Sequence, residues 1–415
     1  MVTLCWRRLA LLAKETSVGF DKSFFATEST MTQGDIRDWP KRVCFGPGSV
    51  RKLPHLLSDL QSQRAVVLCG ATVAKGEMLA RVRAALGDRC VGIFDGVQAH
   101  TPFEDVQAAT KLVQQREADV IISVGGGSAI DAGKGVVLYL ATGGDFGPYA
   151  IDFGAKGMAR AALGTAPIRH IAIPTTAGSA SDVMPTAGIR DPQRLKKMLF
   201  WDERLVPDAT ILDPEMAVFA DAKLTAATGM TAMARAIECL YSKHRHPIST
   251  GLALHAARLL RTALPRSVTH PNDLEARADC QMAALMSGTA SINAMVSIVH
   301  AIGHVIGPRF HLQHGVSHAM LLAPALRRLL PAIGRDARYV LEALDCPING
   351  SFDDAAAALR ALLNQLPLPQ RLRDVGVKCE DIAEIARGTM SDYMMANLAA
   401  PMSQVDVESL LREAW

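Results

Sequence analysis

A chain of 415 residues exceeds what one ordinary core holds, so two domains are expected. Its hydrophobic share of 49% and charged share of 20% are those of a soluble globular protein. The net charge of +3 comes without a lysine–arginine block, so neither nucleic acid nor an anionic membrane is an expected partner.

Residues 1–34 read as a poorly ordered extension. Arg7-Arg8 before Leu9-Ala10-Leu11-Leu12-Ala13 faintly resembles a leader, but the apolar run is too short for secretion and Lys14-Glu15 ends it. Met31 is an alternative start. Eight cysteines (Cys5, Cys44, Cys69, Cys90, Cys239, Cys280, Cys346 and Cys379) are scattered with no close pair. That usage belongs to a reducing compartment, so a cytoplasmic protein is expected. No stretch is long and apolar enough to span a bilayer.

From Trp39 the pattern alternates short apolar strands with amphipathic helices. Residues 66–69, 91–94, 120–124 and 170–174 read as strands, and 103–117 and 129–141 as helices. Such alternation predicts a parallel sheet with helices on its faces. The strand at 120–124 runs into Gly125-Gly126-Gly127-Ser128 and then a helix. Residues without side chains let backbone N–H groups approach a ligand, and the helix turns its positive end to the same spot. A diphosphate is the expected guest, with Ser128 adding a donor, Lys134 adding charge and Asp131 completing the motif. A second loop, Pro174-Thr175-Thr176-Ala177-Gly178-Ser179-Ala180-Ser181-Asp182, follows the last strand. Thr175, Thr176, Ser179 and Ser181 can hydrogen-bond a carboxamide or a ribose at a strand end.

After Asp213-Pro214 helical periodicity takes over. It covers residues 222–242, 249–264, 272–293, 295–306, 318–332, 335–345, 353–365 and 404–413. The expected architecture is an α/β nucleotide domain at 35–212, Rossmann-like, and an all-α domain at 213–415, with the active site between them. Five of the twelve histidines lie between His300 and His318. His300 and His304 are one helical turn apart, and so are His314 and His318. Gly307-Pro308 and Gly315 put a bend between the pairs. Clustered imidazoles point to metal ligation, proton transfer or anion binding.

These pieces together resemble the iron-containing alcohol dehydrogenase family, over about residues 40–415. The residues that carry the resemblance are Phe45-Gly46-Pro47-Gly48-Ser49, the glycine run with Asp131 and Lys134, and Pro174-Thr175-Thr176-Ala177-Gly178-Ser179. Asp213-Pro214, Gly229-Met230, Ala232-Met233 and the histidine stretch complete it. The resemblance implies NADH or NADPH as cofactor, a homodimer, and a dehydroquinate synthase-like fold. It also implies a divalent metal held by an aspartate and a histidine one turn apart and by two later histidines. The later pair matches His300 and His314, but the first pair falls on Thr231 and Arg235. A threonine hydroxyl is a poor neutral ligand and a guanidinium cannot ligate, so no metal is expected. The rival is a relocated site among His304, His311, His314 and His318. The family's ribose-binding carboxylate aligns with Gly70, so both cofactors should fit.

Within the family the chain is similar to the metal-free maleylacetate reductases, which reduce a conjugated carbon–carbon double bond to give 3-oxoadipate. Residues 228–242 and 270–277 share their texture, and His318 matches a histidine typical of them. Arg235, Ala301 and Arg328 stand where those reductases tend to keep histidine, lysine and tyrosine. The resemblance therefore implies reduction of an unsaturated or keto carboxylic acid, a small acidic substrate, without metal. Arg235 is expected to bind the substrate carboxylate, unless it pairs with Glu238 on its own helix. His300, His304, His314 and His318 are the expected donors of hydrogen bonds or a proton. A metal-dependent alcohol or aldehyde dehydrogenase and a non-catalytic nucleotide-binding homologue are the alternatives.

Overall fold

A computed structural model describes residues 41–415, except 155–156, 160, 192–195 and 348–349. The extension at 1–34 lies outside the described residues. The strands are β1 (Val43–Phe45), β2 (Ala65–Cys69), β3 (Cys90–Phe94), β4 (Val120–Gly125), β5 (Asp152–Gly154), β6 (Gly157–Ala159), β7 (Arg169–Pro174), β8 (Thr186–Asp191), β9 (Lys196–Trp201) and β10 (Ala209–Leu212). Six of them form one parallel sheet in the order β1-β10-β7-β4-β2-β3. Between them lie helices α1 (Leu53–Asp59), α2 (Ala71–Ala74), α3 (Glu77–Leu86), α4 (Phe103–Gln115) and α5 (Gly127–Thr142).

The central strands are largely apolar because both faces are covered. Ala65, Val67, Val120, Ile122 and Val124 pack on one side with α1 and α3. Val66, Leu68 and Ile121 pack on the other with Val106, Ala109 and Val113 of α4 and Val136 to Leu138 of α5. The crossover after β2 therefore lies on one face, and the crossover after β4 on the opposite face. Neighbouring strands whose crossovers diverge leave a crevice at their carboxyl ends. The register sets Cys69 beside Val124, and Gly125 beside Pro174. Gly70, the glycine run and the 175–182 loop thus emerge side by side at one edge.

The pattern marks four of the six sheet strands. β1 and β10 have only 3 and 4 residues, too few to show a period. The β8–β9 hairpin is antiparallel and packs on the sheet's helical layer through Ala187, Ile189 and Phe200. After β10, Asp213 caps α6 (Pro214–Ala217). Its carboxylate also accepts from the N–H groups of Gly48 at 3.0 Å and Val50 at 2.9 Å, tying the turn after β1 to the end of the sheet.

The rest is helical: α7 (Ala222–Tyr241), α8 (Pro247–Thr269), α9 (Leu274–Ala294), α10 (Ile298–Arg309), α11 (His314–Leu329), α12 (Ala337–Ala343), α13 (Phe352–Leu363), α14 (Ile382–Met390) and α15 (Gln404–Ala414). Asp221 and Asp273 cap α7 and α9 with side-chain hydrogen bonds. Alanines at 226, 227, 232, 234 and 236 are all buried on α7, which places it at the centre of the lobe with α8, α9 and α11 around it. Helix α10 continues through Pro308 to Arg309, and α11 begins at His314 rather than after Gly315. The break in the histidine stretch is therefore the short turn at 310–313, with His311 at φ 54°. Among the described residues no single helix is long and apolar enough to cross a membrane.

Candidate active site

Two loops from the sheet meet each other, and one of them rests on α7. Gly125 has φ +147°, and a Cβ there would lie 2.9 Å from Ala129 Cβ. The tight turn into α5 therefore requires glycine. Gly126 precedes α5 with no side chain capping its first N–H groups, which leaves them for an anion. A Cβ on Gly126 would meet Thr176, and one on Gly127 would meet Ser179 and Ser181. The glycine run and the 175–182 loop are thus in contact. The buried hydroxyls of Thr176 and Ser179 have no hydrogen-bond partner among the described residues. The loop in turn rests on α7, where a Cβ on Gly178 would lie 1.9 Å from the Thr228 carbonyl oxygen. Thr175 donates its backbone N–H to Gly125 O at 3.0 Å, which pins the two loops together.

The motif's other polar members do not all face this cradle. Ser128 Oγ accepts from the His100 N–H at 3.1 Å, so its oxygen serves the 98–101 turn. Asp131 is buried and accepts from Gly188 N at 3.1 Å. Lys134 is fully buried and donates to Met184 O and Thr186 O, both at 2.7 Å. The expectation that Lys134 brings charge to a diphosphate is therefore corrected. Its position on α5 turns it toward β8, where it holds the hairpin to the sheet layer. Burial pulls its pKa down to about 8. Gly70 is extended at the N-terminus of α2, and a Cβ there would lie 2.9 Å from Val97 O.

In the helical lobe the histidines converge as expected from their spacing. His300 and His318 lie with ring centroids 4.2 Å apart, His314 and His318 5.7 Å, and His304 and His314 5.9 Å. The four rings run in the order His300, His318, His314, His304, with the fully buried His318 inside the chain and the part-exposed His304 at one end. His311 sits in the turn and is not part of it. Each ring of α10 has a carboxylate on Nδ1. His300 Nδ1 is bonded to Glu238, and His304 Nδ1 to Asp392 at 2.9 Å. Tyr393 stacks on His304 at 6.0 Å. Burial lowers the pKa of His300, opposed by Glu238. The pKa of His318 falls well below the usual histidine range, through burial and then the neighbouring imidazoles and Arg235.

Arg235 is buried and does not touch Glu238. Its guanidinium donates to Gly178 O and, at 3.4 Å, to Ser179 O, both in the cofactor-side loop. Both ends of the fork expected to clamp a substrate carboxylate are thus turned to backbone carbonyls. A buried cation needs acceptors, and the loop supplies them. Burial pulls its pKa down to about 10, and its charge depresses His300 and His318 in turn. Thr231 spends its hydroxyl proton on Ala227 O at 3.2 Å. A neutral hydroxyl and a fixed guanidinium do not fit a divalent cation. Among the described residues no group of three or more His, Cys, Asp or Glu is placed to hold a metal.

Glu238, Asp392 and Tyr393 escape the sequence reading. Glu238 is visible only as a neighbour of Arg235 on one helix, and Asp392 comes from 88 residues beyond His304.

Residues 40–214 match the family described as iron-containing alcohol dehydrogenase, and 225–415 match that family's C-terminal domain. Maleylacetate reductase 2 of Cupriavidus pinatubonensis is 31% identical over 387 residues, 92% of this chain and 98% of its own length. The NAD-dependent methanol dehydrogenase of Bacillus methanolicus is 29% identical over 385 residues, 90% of this chain and 98% of its own. A crystal structure of 1,3-propanediol oxidoreductase matches with a TM-score of 0.83 at 29% identity, covering 92% of this chain and 100% of that one. A glycine-loop cradle on a parallel sheet, facing a helical lobe with the histidines on α10 and α11, accords with these matches, and the chain belongs to the iron-containing alcohol dehydrogenase family of NAD-binding oxidoreductases.

Proposed function

We propose that this chain is an NAD(P)H-dependent reductase of an unsaturated or keto carboxylic acid, of the maleylacetate type, that works without a bound metal. The observation that carries the reading is the pair Thr231 and Arg235 on α7. One hydroxyl is committed to its own helix, and the other residue brings a fixed positive charge. The similarity to maleylacetate reductase over nearly the whole chain supports the substrate class.

Gly125, Gly126 and Gly127 with Thr175, Thr176 and Ser179 would hold the dinucleotide. Held there, the cofactor would supply a hydride to the carbon β to the substrate carbonyl. Arg235 contributes its charge to the pocket, which favours the enolate that forms there and attracts an anionic substrate. His304, the more exposed of the α10 pair, gives a proton to the α carbon and is reprotonated from water. The saturated keto acid results. His300 and His318 are biased toward the neutral form by burial and serve as hydrogen-bonding partners beside it.

NAD(P)H consumption is followed with maleylacetate and with simple aldehydes, with and without a chelator, beside elemental analysis of the purified protein. The reading expects acid reduction that the chelator does not touch. Aldehyde reduction lost on chelation, with about one metal per chain, would support the second reading, a metal-dependent alcohol dehydrogenase with relocated ligands. That alternative is favoured by the methanol dehydrogenase's similar identity over a similar span.

A further inference from the structure

His304 lies on α10, one turn from His300, with its side chain 28% exposed. Its Nδ1 is bonded to Asp392 Oδ2 at 2.9 Å. Asp392 belongs to the turn that follows α14, far along the chain. Its other oxygen, Oδ1, accepts from Met394 N at 2.8 Å and so caps the short turn Tyr393–Asn397. That turn is fixed in its own right, since Asn397 is buried and donates to Val296 O at 3.0 Å, just before α10. Tyr393 covers one side of the His304 ring. The carboxylate is therefore held by a cap, the turn by Asn397 and the ring by a stacked tyrosine.

We propose that Asp392 is the positioning residue for His304, fixing its proton on Nδ1 so that Nε2 is the nitrogen left for the reacting groups. A carboxylate can only accept from Nδ1, and a neutral imidazole carries one N–H. The bond thus selects one of two tautomers, and the stacking of Tyr393 limits rotation of the ring. For a proton to pass from Nε2 the ring carries both protons, and Nδ1–H keeps its bond to the carboxylate throughout. Glu238 holds Nδ1 of His300 in the same sense, so both rings of α10 are set alike. This inference rests on His304 taking part in turnover, as proposed above, but not on the identity of the substrate.

The test compares wild type, Asp392→Ala and Asp392→Asn. Turnover is read as NADPH oxidation with maleylacetate, or with propionaldehyde if the acid is not reduced, so a wrong substrate class leaves this test standing. The tautomer is read from the ¹⁵N shifts of ¹⁵N-histidine-labelled protein, with His304 assigned through His304→Gln. The expected results are Nδ1–H in wild type and a shift toward Nε2–H in Asp392→Ala. In that variant kcat should fall by about tenfold or more, with the KM for NADPH little changed. Asp392→Asn, whose amide oxygen can still accept from Nδ1, should recover most of the turnover. An Nε2–H tautomer in wild type overturns the proposal even if Asp392→Ala does not fold. So does an Asp392→Ala protein with unchanged kcat.

Discussion

Glu238 of α7 is bonded to Nδ1 of His300 on α10, and not to Arg235 three residues before it on its own helix. The buried carboxylate also accepts from Val299 N at 2.8 Å, Ser297 Oγ at 3.1 Å and Tyr241 OH at 3.3 Å. Four donors leave it no need of a cation. Arg235, released from the helical pairing its spacing suggests, reaches across to the 175–182 loop instead. One helix thus orients a histidine on one side and braces the 175–182 loop on the other.

Arg235 is predicted to matter for both the loop and the substrate charge. With both ends of its fork on the loop, Arg235 acts on the substrate through its charge, so Arg235→Ala should cut kcat/KM for an acid by about tenfold or more. Because Gly178 and Ser179 lose their donor, the KM for the dinucleotide should rise as well. Arg235→Lys should restore only part, since an ammonium lacks the fork. Steady-state kinetics with both substrates varied checks this, and unchanged kinetics in Arg235→Ala would remove the residue from the mechanism.

Lys134 is predicted to act on stability and not on cofactor affinity. Lys134→Met strips donors from Met184 O and Thr186 O, and buried unpaired carbonyls cost about 1–3 kcal/mol each. The melting temperature should fall, while the dissociation constant for NADPH, measured by fluorescence below the melt, changes by less than about threefold. A large loss of affinity with the melting temperature unchanged would return Lys134 to the phosphate.

NADPH is predicted to be used at least as readily as NADH, because Gly70 offers no carboxylate to repel a 2′-phosphate. Paired steady-state assays decide it, and a strong preference for NADH counts against the alignment of Gly70. A side chain cannot simply be added at this position, since its Cβ would press on Val97 O. Gly70→Asp should therefore lower stability as well as NADPH use.

Stability is predicted to fall on acidification below pH 6.5. His170 is buried, its Nε2 is 2.8 Å from Ser123 Oγ, and burial with the charge of Lys134 pulls its pKa down to about 3. Between pH 6.5 and about 3 the unfolded chain binds a proton there that the folded chain refuses, so unfolding gains as pH falls. The melting temperature should drop by about 2–4 °C or more from pH 7 to pH 5. In Ser123→Ala/His170→Leu, which removes both partners of the bond, the decline should be shallower. The remaining slope belongs in part to His300 and His318, also held toward the neutral form. Identical slopes in the two proteins would rule His170 out as a source.

Much of the architecture is local and therefore legible from sequence. The apolar strands at 66–69 and 120–124, the glycine run and the histidine spacing each follow from rules that act within a few residues. They are enough to imply a nucleotide site, an α/β lobe before a helical one, and imidazoles on a common face. The donor set of Thr231 and Arg235 is equally a matter of residue type. What the tertiary structure decided is where the polar groups of those motifs spend their hydrogen bonds. Lys134 and Arg235 have long side chains that can reach several acceptors, and which carbonyl they find depends on segments 50–57 residues away in sequence. Asp392 reaches His304 only because α14 packs on α10. A buried polar group must find a partner wherever the fold offers one, and sequence spacing records only the partners within a turn or two of the chain.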